Sequence, residues 1–467
     1  MEYEEIRDIW KKKYKVVTAQ LKKVKKIPCV ATAFNTNIDA VLKISGKQIA
    51  TLLKENKVTL AELENRKEGG LAEPKDVLRG IVKCFSRGIA EEWITEDIKI
   101  YQWLNEKLGY QHLQMGGQGG IIANTMALLG VKKVVAHTNS HPKLQAQQFL
   151  NLDNLLGIDE KGNVKKARAI SRNNDVPMIH WIIEFDKNDK FIYEKKTFIC
   201  PKSNRFIATY DPLNTNLSIN QYFRQYMQKN TISYLLLSGF HSVLKENNGL
   251  QLLKNTAKEL KKWKKANPNM IVHLEIASTQ DKFIRKEIIK KIAPLVHSAG
   301  LNERETIDLL EVMGQKRLAK RIEKDTSAIN LFEALMFIKE KINIPRIQLH
   351  MFGLYITIQD ERYPFDEKQN LKGMMTAAVV SSSKALIGTL DKYEKITKTI
   401  SYSVSERGVE ELKKLSEKLE KSELLQEGCC TLKNYKISAV PTILIDKPKT
   451  LVGMGDTISS VSLVAGQ

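Results

Sequence analysis

Residues 450–466 read TLVGMGDTISSVSLVAG. A short apolar run gives way to Gly453-Met454-Gly455-Asp456, and a second run of apolar and small residues extends to Gly466. The pattern predicts a strand, a glycine turn and a helix beginning near Thr457. Glycines let the backbone turn sharply and come close to a ligand. Free N–H groups at a helix start form a hole for an anion. Asp456 sits at the mouth of that hole. A carboxylate there suits phosphoryl transfer, taking a hydroxyl proton while the N–H groups hold the migrating phosphoryl. It equally suits a tight turn with an Asp cap, and the short pattern alone does not choose between the two.

Outward from this stretch, apolar β-rich runs alternate with amphipathic segments. VATAF at 30–34 reads as a strand ending in the polar turn NTNID. GGQGG at 116–120 precedes IIANTMALLG, a helix pattern closed by Gly130. VKKVVAHT, TISYLLLSGF, NMIVHLEIAS and RIQLHMFGLYITI are further apolar runs, and helices are expected over 248–265 and 303–314. The βαβα order predicts an α/β fold whose central, mostly parallel sheet is covered by helices on both faces. IHWIIEFDKNDKFIYEKK at 179–196 differs: two β-rich runs flank a polar turn, which predicts an antiparallel hairpin and a second, smaller sheet. No repeat of fixed period is present.

Composition bounds the function. The 467 residues carry 74 Lys plus Arg against 53 Asp plus Glu, a net charge of +21, with 42% hydrophobic and 27% charged residues. This is ordinary globular usage and excludes a disordered or collagen-like chain. The length suits two or three domains, or one large core with an inserted lid. No apolar run reaches the roughly 18 residues of a membrane span. The first residues, MEYEEIRDIWKKKYKVV, start acidic and lack the apolar stretch of a signal peptide. Five cysteines without a CxxC pair read as reduced thiols of a cytoplasmic protein, and the vicinal Cys429-Cys430 is given no role. The basic excess invites a nucleic-acid reading. KKKYK, KKVKK and KKWKK, however, sit inside helix-like patterns, and neither aromatic–basic interleaving nor zinc-finger spacing is present. Solvated helix faces account for them, and no nucleic acid or membrane partner is expected.

Three further groups of residues have the chemistry of a site. Ligands of open α/β sheets bind beyond the carboxyl ends of the strands. There, His273 and Glu275 lie two apart and share a strand face, while Asn302 and Glu305 lie three apart on a first helical turn. Glu275 and Glu305 would suit Mg²⁺ held through waters. A buried histidine and a capping box explain the same residues. Asn35, Asn37 and Asp39 after the first strand, with Gly117 and Gln118 at a helix start, offer the short polar groups that sugar hydroxyls need. Turn chemistry uses them too. His180 stands near the start of the expected hairpin, where a strand histidine is commonly structural. Arg205 in SNRFIATY is either a phosphate clamp or a surface arginine.

FNTNIDAV, RGIAEEW, MGGQGGIIANTMALLG, HPKLQAQQFL, SNRFI, VHLEIAS, GLNERE, AVPTILI and VGMGDTIS follow one another in the order found in archaeal ADP-dependent sugar kinases. From about residue 30 to the end, the chain resembles the ADP-dependent glucokinases and phosphofructokinases of the ribokinase-like superfamily. The resemblance implies a large nucleotide-binding α/β domain (1–39, 113–170 and 211–467) and a smaller sugar-binding α/β lid (40–112 and 171–210). By the same resemblance Asp456 is the catalytic base, with Gly453 and Gly455 in the anion hole. Glu275 and Glu305, with Asp456, organise Mg²⁺. Asn302, His350, Val440 and Gly455 fall in the nucleotide site. Asn37, Asp39, Glu92, Gly117, Gln118 and His180 meet the sugar. Arg205 meets a phosphate of the donor or of a phosphorylated sugar.

ADP as donor, and AMP as product, come from the resemblance alone. In RGIAEEW, Glu92 matches a glutamate by which glucokinases of this family meet glucose, with Glu91 one position away if the alignment slips. Dedicated phosphofructokinases have a small residue there, but methanogen members keep the glutamate and act on both sugars. The basic region of Lys165, Lys166, Arg168, Arg172, Lys202 and Arg205 would supply contacts to a sugar phosphate. The expectation is therefore a phosphofructokinase that also accepts glucose, as a monomer or small homo-oligomer. A glucokinase alone, or an ATP-dependent ribokinase-like kinase, are the alternatives. Part of the +21 charge then reads as a field around a cleft that gathers two anions.

Overall fold

The apolar runs line up edge to edge in an eleven-stranded sheet. Its order is β17 (Cys429–Leu432), β18 (Tyr435–Pro441), β16 (Leu354–Gln359), β15 (Arg346–Met351), β14 (Ser298–Leu301), β13 (Ile271–Glu275), β12 (Tyr234–Leu237), β1 (Val30–Ala33), β5 (Val134–Ala136), β6 (Leu155–Ile158) and β7 (Val164–Lys166). Pairing is parallel from β15 to β6 and antiparallel at both ends. The strands from β16 to β1 are buried along their whole length, as near-continuous apolar runs must be when helices cover both faces. This computed structural model describes residues 1–64, 69–277, 279 and 281–467; Ser278, the last residue of VHLEIAS, lies outside them.

A second sheet of five strands runs β3 (Glu91–Thr95), β11 (Asn204–Tyr210), β8 (Ile179–Phe185), β2 (Asn37–Lys43) and β4 (His112–Gly116). Each sheet has its own core. Trp10, Phe34 and Trp263 are buried around the first, and Phe85, Trp181 and Phe206 around the second. Truncating one of these large rings to Ala costs about 3–5 kcal/mol. Among the described residues no helix is long and apolar enough to cross a membrane. All five cysteines are buried and unbridged.

Two expectations are corrected, and one apolar run resolves into two strands. The hairpin expected over 179–196 does not form there. β8 pairs with β2 and β11, both distant in sequence, and the hairpin lies one strand later, between β9 (Lys190–Tyr193) and β10 (Lys196–Ile199). RIQLHMFGLYITI is two antiparallel strands, β15 and β16, turning at Phe352-Gly353, where Gly353 has φ +98°. No strand precedes the GMGD turn. The segment 442–452 is irregular, with Leu451 66% exposed, and the helix starts at Met454. Pro441 closes β18 just before this stretch and Pro448 lies within it, and neither has an N–H to donate to a ladder.

The chain passes between the sheets at 34–36, at 117, over 167–178 and over 211–220. Hydrogen bonds join three of these passages near Asn35 and pin the fourth, 167–178, to the loop after β5. Asn214 Nδ2 donates to Asn35 Oδ1 (2.7 Å), Gly119 N to Asn35 O (2.7 Å), and His141 N to Asp175 Oδ2 (2.7 Å). Polar residues directly after β1 and after β11 are thereby gathered where the two sheets meet.

Candidate active site

Gly453 opens the helix Met454–Ala465 in the left-handed region, at φ +61°. A Cβ here would fall 2.6 Å from Ile121 Cδ1, so both the backbone angle and the space require glycine. Asp456 lies in the first turn, 7% exposed. Burial pushes its carboxyl up to about 6; Lys384 and a hydrogen bond from Gln118 pull down, and Asp39 adds to the rise. Lys384 projects from the helix Glu367–Ile387 and donates to Gly453 O (3.2 Å) and Thr457 Oγ1 (3.3 Å). Burial brings its ammonium down to about 8, against the attraction of Asp456 and Asp39. A carboxylate and an ammonium thus meet at a helix N-terminus, the charges needed to take a proton and hold a migrating anion.

Gly453 and Asp456 open onto a cavity of about 240 Å³ between the sheets. Asn37 and Asp39 reach it from β2, and Gly117 and Gln118 from the passage after β4. Glu92 (β3), His180 (β8) and Arg205 (β11) complete the far wall. Asn37 Nδ2 donates to Asp39 Oδ1 (3.1 Å), while Asn37 Oδ1 is buried without a hydrogen-bond partner. Thr209 Oγ1 donates to Glu92 Oε1 (2.6 Å). Glu91 turns away, to Lys83 Nζ (2.8 Å) and Trp93 Nε1 (2.9 Å). It is therefore Glu92 that faces the cavity. Burial opposes charge on His180, but Asp211, Glu92 and Asp39 outweigh it and raise the imidazole to about 9. The cation is anchored by Asp211 Oδ2 at 2.9 Å from Nε2. Of the six basic residues expected around a sugar phosphate, Arg205 alone lines the cavity. Lys165, Lys166 and Arg172 are instead paired with Asp159, Asp153 and Asp175.

Asn302 and Glu305 form the capping box of the helix Glu303–Val312: Glu305 N donates to Asn302 Oδ1 (3.0 Å) and Asn302 N to Glu305 Oε2 (2.8 Å). Capping does not exhaust Glu305. Burial raises its carboxyl to about 8; the Asn302 hydrogen bond opposes this, and Asp456 adds to it. Burial, then Glu305 and Asp456, hold Glu275 well above the usual carboxylate range. Three buried carboxylates repelling one another are a donor set that a divalent cation would relieve. Among the described residues no three His, Cys, Asp or Glu side chains are grouped closely enough to hold a metal ion directly; carboxylates of this kind would suit an ion held through water.

His350 lies beneath the start of the helix Met454–Ala465, its Nε2 3.6 Å from Glu275 Oε1 and 2.9 Å from where a Cβ on Gly455 would be. Burial lowers it to about 4, so it is a neutral packing partner of Glu275. Val440 is wholly buried in β18, opposite Tyr355, and the structure does not bring its side chain to the cavity.

Lys384, Asp211 and His241 escaped the sequence reading. His241 lines the cavity with a buried, unpartnered Nδ1. Signals existed. Lys384 is a lone charge in the small, apolar run TAAVVSSSKALIG, and Asp211 and His241 follow the carboxyl ends of β11 and β12.

Residues 28–465 match a family model described as the ADP-specific phosphofructokinase/glucokinase conserved region. An ADP-dependent glucose/glucosamine kinase of Pyrococcus furiosus is 29% identical over 464 residues, covering 97% of this chain and 98% of its own. A solved structure of the last common ancestor of ADP-dependent phosphofructokinases from Methanosarcinales superposes with a TM-score of 0.85 at 29% identity, covering 100% of this chain and 99% of its own. An ADP-dependent kinase in complex with fructose 6-phosphate and ADPβS gives 0.82 at 27% identity, with 98% and 97% covered.

Proposed function

Because the chain belongs to the ADP-specific phosphofructokinase/glucokinase family, we propose that it transfers the β-phosphoryl group of ADP to fructose 6-phosphate and also accepts glucose. The observation that carries this reading is the single cavity in which Asp456, at a helix N-terminus, faces Asn37, Asp39, Glu92, His180 and Arg205. The attacking sugar hydroxyl lies against Asp456, which takes its proton. The sugar oxygen bonds to the β-phosphorus as the bond to the α–β bridging oxygen breaks, and AMP leaves. N–H groups at 453–456 and the Lys384 ammonium hold the charge on the migrating group. Glu275 and Glu305 would hold Mg²⁺ through water, and the ion would supply neutralisation of the donor's phosphate charge. Asn302 would meet the nucleotide.

The two hydrophobic cores support a large domain with a smaller lid that closes over the sugar and excludes water. Glu92, fixed by Thr209, accepts hydrogen bonds from a neutral hexose, and Arg205 offers a cation to the 6-phosphate. Five buried, unbridged cysteines accord with a reducing cytoplasm. The test is AMP formation from ADP and Mg²⁺ with each sugar. Turnover of both supports the reading; turnover of glucose without fructose 6-phosphate leaves a glucokinase.

A further inference from the structure

Arg346 is 0% exposed, and all its hydrogen bonds go to neutral side chains. Its Nε donates to Asn370 Oδ1 (2.9 Å), its Nη1 to Ser298 Oγ (2.8 Å), and its Nη2 to Gln348 Oε1 (2.7 Å) and Ser462 Oγ (3.1 Å). A buried guanidinium without a carboxylate is costly to keep. It also governs its neighbours. Because it only donates, Asn370 and Gln348 must both present oxygen, which leaves Asn370 Nδ2 and Gln348 Nε2 buried and unpartnered. The cluster is therefore arranged around the arginine.

One branch of that cluster leads to the site. Ser298 Oγ accepts from Arg346, so its own proton is free for His273 Nδ1, 3.0 Å away. Nδ1 then serves as acceptor and the ring carries its proton on Nε2, which faces Glu275 Oε2 at 3.4 Å. Donation runs in one direction, from Arg346 through Ser298 and His273 to Glu275. We infer that Arg346 is a positioning residue for Glu275, setting the histidine tautomer through Ser298 so that an N–H always meets the carboxylate. This inference rests on the reading above that Glu275 faces the metal. Oriented in this way, Glu275 keeps its other oxygen toward the first turn of the catalytic helix, where Gly455 passes. The remaining bonds of Arg346 reach Ser462, on the helix that bears Asp456, and Asn370, on the helix that bears Lys384.

Ser298→Ala removes one oxygen and breaks the branch to His273. Ser462→Ala removes one bond to the same arginine and leaves that branch whole. Binding of Mn²⁺ to each variant with ADP present, read as loss of the free-ion EPR signal, reports metal affinity independently of turnover. Thermal melts report stability. Ser298→Ala is expected to weaken Mn²⁺ binding about tenfold and to raise the metal concentration for half-maximal activity in step, with kcat at saturating metal lowered less than threefold. Ser462→Ala is expected to leave Mn²⁺ affinity unchanged. Unchanged affinity in Ser298→Ala, or equal weakening in both variants alongside equal melting shifts, overturns the inference and leaves Arg346 a packing residue. Glu275→Gln serves as the reference: if it binds Mn²⁺ as the parent does, the reading of Glu275 fails instead.

Discussion

Lys384 is the residue whose removal is most informative. Its ammonium is held against Gly453 O and Thr457 Oγ1, one turn of backbone from the Asp456 carboxyl. At an effective dielectric of about 20 and a separation on the order of 6 Å, a unit ion pair is worth about 3 kcal/mol, or about two pKa units. The sign is fixed: a cation favours the carboxylate, so Lys384→Met raises the Asp456 pKa from its value of about 6. With a rise of one to two units, the ionised fraction at pH 7 falls from about nine-tenths to between about one-half and one-tenth. The parent enzyme should show an acid limb in kcat/KM near pH 6 and an alkaline limb near pH 8, where Lys384 itself loses its proton. In Lys384→Met the acid limb moves up by one to two units and the alkaline limb disappears. The assay is AMP release at limiting sugar, giving kcat/KM from pH 5 to 9.5. An acid limb in the variant at the same pH as in the parent would refute the coupling.

Three further outcomes follow from the same geometry. Asp456→Asn should lower kcat by several orders of magnitude while sugar affinity, measured by calorimetry, changes far less; near-normal turnover would remove it as the base. Glu92→Ala deletes a charged acceptor, so kcat/KM for glucose should drop about 10- to 100-fold, with fructose 6-phosphate affected much less; equal losses would detach Glu92 from sugar choice. Glu305 and Asp456 have folded-state pKa values raised to about 8 and about 6, so their contribution to stability is full below about pH 4 and is lost as pH rises through those values. Adding Mg²⁺ should therefore raise the Tm clearly at pH 8 and little at pH 5, and an equal shift at both would contradict the carboxylate cluster.

The large sheet was legible because its strands are buried on both faces and read as unbroken apolar runs. The same property hid the β15–β16 turn, since Phe352 continues the run and Gly353 alone marks the reversal. The β9–β10 turn was hidden differently. Glu194 and Lys195 take φ values of +44° and +68°, positions where Asn-Gly or Asp-Gly normally announces a hairpin. DKND at 186–189 carries the usual turn residues, yet it follows a strand whose partners lie elsewhere in the chain. At the site, Asp456, Asn37 and Glu92 declared themselves through motifs. Lys384 did not, because a lysine in a helix ordinarily points to water, and only packing shows that this one points inward.

The passages at 34–36, 117, 167–178 and 211–220 also constrain how the smaller sheet can move. A body on one tether swivels freely. Four tethers, three cross-linked near Asn35 and Asn214 and the fourth pinned through Asp175 to His141 after β5, should act like the leaves of a door hinge, permitting swing about one line and resisting twist. The small sheet can then return to the same seat after every cycle without any latch at its outer edge. Cutting a single tether would leave three, so a nicked chain should stay assembled while its swing loses direction.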